Sequence, residues 1–130
     1  MIILTLRTDK EESEIGLYND QVELEYVSWQ AHRQLAETIH RKIEELLNQS
    51  SNSLGEVGGI VCYKGPGSFT GLRIGISVAN AFAYALDIPV MAKPGKNWLK
   101  NGVKDLLAGK NDHIVTPAYN RPAAVSLPRK

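Results

Sequence analysis

The stretch Lys64-Gly65-Pro66-Gly67-Ser68-Phe69-Thr70-Gly71-Leu72-Arg73-Ile74-Gly75 is where residue types and spacing point most directly to chemistry. It falls between a short apolar run and a long helical pattern. Gly65 and Gly67 permit backbone angles that other residues resist, Pro66 stiffens the turn, and Ser68 or Thr70 can cap the first free N–H groups of the helix. Two readings stay open. One is a phosphate cradle at a helix start, built from Gly65, Pro66, Gly67, Ser68 and Thr70. The other is a capped tight turn that packs a helix on a sheet. The Walker pattern, GxxxxGK followed by Ser or Thr, is absent.

Other candidates for catalysis are thin. Cys62 lies inside an apolar run, where a thiol is inert packing. A nucleophile needs an adjacent, oriented base, and the histidines are His32, His40 and His113. His32 and His40 are roughly 12 Å apart along a helix, too far to share one metal ion. Glu44 and Glu45 beside Arg41 and Lys42 read as a solvated helix face. Lys93, Lys96, Lys100, Lys104 and Lys110 make the region after residue 92 locally basic, and Trp98 among them could stack on an RNA base. The simpler reading there is an amphipathic helix with Trp98, Leu99, Val103, Leu106 and Leu107 inward. No catalytic residue, metal site or cofactor is expected.

Positioning these residues takes a series of short elements. Met1 to Thr8 reads as a buried strand, Glu14 to Asn19 as a second, and the alternation of Val22, Leu24 and Tyr26 with Glu23 and Glu25 as a third with one wet face. Leu35, Ile39, Ile43, Leu46 and Leu47 form the stripe of a helix over roughly 29–47, with Ser28 as its cap. Gly58 to Tyr63 is a buried strand, Phe69 to Leu86 a helix, Ile88 to Ala92 a strand, and Trp98 to Leu107 a helix stopped by Gly109. Ile114 to Ala118 is a last candidate strand. The order βββαβαβ is that of a ribonuclease-H-like α/β lobe, the unit from which ATPases of the actin and sugar-kinase type are built in pairs. We expect that amino-terminal lobe over residues 1–92, and over 93–130 a helix, short strand and tail that could begin a truncated second lobe.

The helix over 69–86 is apolar nearly all round. Arg73, Ser77, Asn80 and Tyr84 form one polar stripe. Leu72, Ile76, Ala79, Ala83 and Leu86 form one apolar face, and Gly71, Gly75, Val78, Phe82 and Ala85 a second. Such a helix requires cover on two sides. A sheet supplies one. Gly71, Gly75 and Ala79, each four apart, would let another helix come close, from this chain or from a partner.

The 130 residues carry a formal net charge of +1, so no global basic field holds nucleic acid. The single cysteine fits a reducing compartment. No apolar run reads as a membrane span and the amino terminus lacks a signal-peptide pattern, so a cytoplasmic protein is expected.

The eleven residues Gly65 to Gly75, in this strand–turn–helix setting, resemble the signature of the TsaB (YeaZ) family. The opening strand, the helix after His32 and the Leu86-Asp87-Ile88-Pro89-Val90 ending fall in the matching order. The chain looks like a shortened or divergent member. The resemblance implies a non-catalytic scaffold that pairs with a TsaD-like protein as a heterodimer, in the machinery that makes threonylcarbamoyladenosine in tRNA. A TsaE-like ATPase would join the larger complex, and tRNA would be met only indirectly. Gly71, Arg73, Gly75, Val78, Ala79 and Phe82 become interface candidates. A nucleotide-binding protein using the Gly65–Gly71 turn, and a homodimer paired through the small-residue helix, remain alternatives. Older family labels include a peptidase, which Cys62 and the scattered histidines do not support. One departure stands out: Arg7-Thr8-Asp9 occupies the place of an Asp-Thr-Ser-like sequence. In active members of the wider ATPase fold an acidic residue there helps to position metal and phosphate, and Arg7 cannot ligate a cation. A surface ion pair or an anion contact are the roles left for it.

Overall fold

The computed structural model describes residues 1–116, apart from the side chain of His32. Five strands form one sheet in the order β3-β2-β1-β4-β5. β1 (Ile2–Arg7), β2 (Glu12–Asn19) and β3 (Val22–Gln30) are an antiparallel meander, and β4 (Val57–Tyr63) and β5 (Val90–Lys93) run parallel to β1. Three helices complete the fold: α1 (Leu35–Gln49), α2 (Phe69–Leu86) and α3 (Trp98–Leu107).

Alternation along the strands assigns the helices to faces. Gly59 and Val61 of β4 meet Leu106 and Gly102 of α3, and Tyr63 meets the Trp98 ring. Thr5 is paired with Val61 and shares that side. Leu4, Leu6 and Thr8 therefore point the other way, toward α1 and α2. Trp29 confirms the side of α1, because its indole N–H donates to Thr38 Oγ1 at 3.0 Å. Leu4, Leu6, Leu17, Ile39, Ile43, Leu46, Ile60 and Leu72 are among the fully buried side chains between sheet and helices. Burying one such side chain contributes on the order of 1.5–3 kcal/mol. On the other face Trp98, Val103 and Leu106 join the same core; Val115, beyond α3 in sequence, is held by Asn80 of α2.

Three expectations are corrected. The first helix begins at Leu35, because β3 continues to Gln30 and pairs Ser28 with Glu14 and Trp29 with Ser13. Ser28 is therefore a strand residue and no cap, and a 3-10 turn at His32–Gln34 leads into α1. No strand forms at residues 114–116; residues 117 and 118 lie outside the described ones. Finally, α2 is 18 residues long and, by length and composition alone, apolar enough to cross a membrane. One third of the helix is buried against the rest of the lobe, including Leu72, Ile76, Ala79 and Ala83.

Both later helices end as their chemistry dictates. Gly109, at φ +87°, turns the chain after α3, with Lys110 N–H donating to Asp105 O and Gly109 N–H to Leu106 O. That is a Schellman closure. Asp87, at φ +55°, does the same after α2, with Ile88 N–H donating to Ala83 O.

Candidate functional site

The glycine-rich turn sits where β1, β4 and α2 converge. Its carbonyls and amides are tied on both sides: Gly95 N–H donates to Gly65 O, and Ser68 N–H to Asp9 O at 3.2 Å. Tyr63, the last residue of β4, donates its hydroxyl to Pro66 O at 2.7 Å. Gly67 lies against Asp9; a Cβ there would fall 2.4 Å from Asp9 Cβ. Ser68 occupies the cap position of α2 but makes no side-chain cap hydrogen bond, contrary to expectation.

The second anchor is Thr8. Its Oγ1 donates to Gly71 O at 2.7 Å. A Cβ on Gly71 would stand 2.0 Å from Thr8 O, and one on Gly75 2.2 Å from Thr8 Oγ1. The two glycines thus admit the chain's own β1 end. Gly75, Val78 and Ala79 are buried in the lobe. Of the six interface candidates, Arg73 is exposed, while Gly71 and Phe82 are half-buried.

Arg7 and Asp9 form the charged part of the site. Arg7 Nε donates to Asp9 Oδ1 at 2.8 Å, Nη2 reaches Oδ2 at 3.4 Å, and the guanidinium lies 4.0 Å from the centre of the Tyr63 ring. The side chains are 21% and 6% exposed, so this is a half-buried pair and no surface contact. Burial opposes the charge on Arg7, and the hydrogen bond and charge of Asp9 outweigh it, holding the guanidinium above its usual pKa. The donor set does not fit a divalent cation. Arg7 is itself a cation, both Asp9 oxygens face it, and among the described residues no three His, Cys, Asp or Glu side chains gather. A carboxylate against the turn also disfavours a phosphate there.

Elsewhere the chemical candidates disperse. Cys62 is buried, and burial pushes its thiol up to about 12. His113 sits in an exposed bend, its ring near Asn111. Trp98 is buried edge-on against Tyr63, so it cannot stack on a base. Lys93 and Lys110 are engaged by Asp105.

A different surface emerges along α1 and α2. Phe69 is 52% and Tyr84 91% exposed. The Arg73 guanidinium lies 5.2 Å from the centre of the Phe69 ring. Between the helices runs a groove lined by Ala36, His40, Phe69, Arg73, Ser77 and Val78, and its His40 meets Phe82 edge-on at 5.8 Å. Phe69 and Tyr84 are not among the six interface candidates; the signal that could have found them is a large side chain on the outward side of a largely apolar helix. Thr8, Asp9 and Tyr63 carry no local signal, because their roles arise only when β1, β4 and α2 meet.

Comparison with known proteins gives consistent matches. A family model described as TsaD, tRNA N6-adenosine threonylcarbamoyltransferase, matches residues 27–92. The tRNA threonylcarbamoyladenosine biosynthesis protein TsaB of Escherichia coli is 31% identical over 119 residues, covering 83% of this chain and 49% of that protein. The chain thus spans about half the length of that curated relative. Among solved structures, YeaZ from Pseudomonas aeruginosa superposes with a TM-score of 0.66 at 31% identity, over 72% of this chain and 43% of that one. RuvC of Thermus thermophilus, at 13% identity and a TM-score of 0.53 over 84% of this chain and 70% of that one, shares the fold alone. The sheet order and helix placement are those of a ribonuclease-H-like lobe.

Proposed function

The chain belongs to the TsaB (YeaZ) family, and on that premise we propose that it is a non-catalytic subunit of the tRNA threonylcarbamoyladenosine machinery, binding a TsaD-like protein through the outer face of α2. The observation that carries this reading is the line of large side chains Phe69, Arg73 and Tyr84 along the exposed face of α2, beside the groove against α1. Exposed aromatics and arginine are the residue types that dominate interface energetics. Arg73 over Phe69 presents a flat, preordered contact. Gly71 and Gly75 contribute by letting α2 sit close to the end of β1, which fixes the angle of that face. In this reading a TsaE-like ATPase joins through the TsaD-like protein, tRNA is met through the complex, and the subunit works in the cytoplasm.

Pairing of two copies through the same face is the competing occupant. The test is the solution mass of the chain, alone and with the TsaD-like protein of the same organism. Arg73→Glu and Phe69→Ala are the variants of choice, since both residues are exposed. A bulky residue at Gly75 would disrupt the lobe itself and cannot serve. A mixed complex abolished by Arg73→Glu supports the reading. A homodimer that ignores the TsaD-like protein contradicts it.

A further inference from the structure

We propose that Arg7 is a built-in cation for the lobe, taking the place at the end of β1 where a metal ion would otherwise balance a buried carboxylate. Asp9 is buried at the junction of β1, the Gly65–Gly67 turn and the start of α2. A carboxylate in such a place needs a positive partner. Both its oxygens face one group, the Arg7 guanidinium, at 2.8 and 3.4 Å. That guanidinium is held from a second direction by the Tyr63 ring at 4.0 Å, and Tyr63 in turn holds Pro66 O. Asp9 O receives the Ser68 N–H, the amide at the cap position of α2. One cation therefore links the ends of β1 and β4 to the turn and to the cap residue of α2. The consequence is that the helix start is ordered without nucleotide or divalent ion. Arg7 acts here as a positioning residue, and its fixed fork and flat face suit both partners in a way a lysine does not.

The proposal is tested on the chain alone, independently of any partner. Thermal unfolding and Mn2+ binding, followed by electron paramagnetic resonance, are measured for the wild type, Arg7→Ala, Arg7→Lys and Arg7→Asp. The wild type should bind no Mn2+ and show the same Tm in millimolar Mn2+ and in chelator. Arg7→Ala should lower the Tm by about 5 °C or more, with no recovery on adding Mn2+, and Arg7→Lys should recover only part of the loss. Arg7→Asp sets two carboxylates together. It should fall furthest in chelator, gain a single Mn2+ site, and regain Tm with the metal. If Arg7→Asp does not fold in chelator, refolding in Mn2+ is the same result read another way. Mn2+ binding by the wild type with a rise in Tm, full recovery in Arg7→Lys, or an Arg7→Asp variant indifferent to Mn2+ would each overturn the proposal.

Discussion

Single residues in this lobe are constrained chiefly by close approach. Gly71 and Gly75 sit where a Cβ would collide with Thr8, at 2.0 and 2.2 Å, and Gly102 where it would meet Val61 Cγ1 at 2.3 Å. Gly75→Ala should therefore cost about 1–3 kcal/mol of stability, read as a lower urea midpoint with unchanged slope. Gly55→Ala, with nothing within 4 Å, should be neutral or slightly stabilising. Cys62, buried with its thiol pushed up to about 12, should resist a thiol reagent at pH 8 until the chain unfolds; rapid labelling of the folded chain would contradict the packing described. The small size of the glycines was visible in the sequence, but the neighbour that demanded it was not. Their four-residue spacing suggested a second helix, whereas the occupant is the end of a strand more than sixty positions away. The Arg7–Asp9–Tyr63 contact was hidden for the same reason: Arg7 stood out in the sequence, but the carboxylate and the ring that hold it are brought to it only by the fold.

At the scale of elements, periodicity was most informative where one rule governed the whole segment. α2 and α3 begin and end where their apolar spacing and stop residues indicate. The start of α1 was misplaced because Trp29 alternates with Val27 as in a strand while also falling near the helix stripe, and only pairing with β2 decides between them. Trp29 then reaches α1 through Thr38. Two links between elements make separate predictions. Asn80 of α2 grips Val115 from both sides, accepting from its N–H at 2.9 Å and donating to its carbonyl at 3.1 Å. Asn80→Ala should release that segment, lowering hydrogen-exchange protection at Val115 while the sheet amides stay protected. On the opposite face, Lys93 hydrogen-bonds Asp105 at 2.5 Å and lowers its pKa below the ordinary value. A carboxylate depressed in the folded state contributes stability above its unfolded pKa of about 3.9 and loses it as pH falls through the folded value. The difference in urea midpoint between wild type and Asp105→Asn should accordingly be full at pH 7 and shrink below about pH 4.

For the molecule as a whole, the division of α2 between inside and outside connects fold to function. Its inner faces close the lobe, against β1 through Thr8 and against the sheet through Leu72 and Ile76. Its outer line of Phe69, Arg73 and Tyr84 remains exposed. The Arg7–Asp9 pair orders the start of the same helix, so the charged cluster and the outer face belong to one mechanical unit. The most direct measurement is light scattering after size exclusion on the chain mixed with the TsaD-like protein of its organism. The account predicts a stable mixed complex that Arg73→Glu dissolves while the lobe stays folded. A folded chain that elutes separately from the TsaD-like protein, or a complex indifferent to both Arg73→Glu and Phe69→Ala, would contradict it.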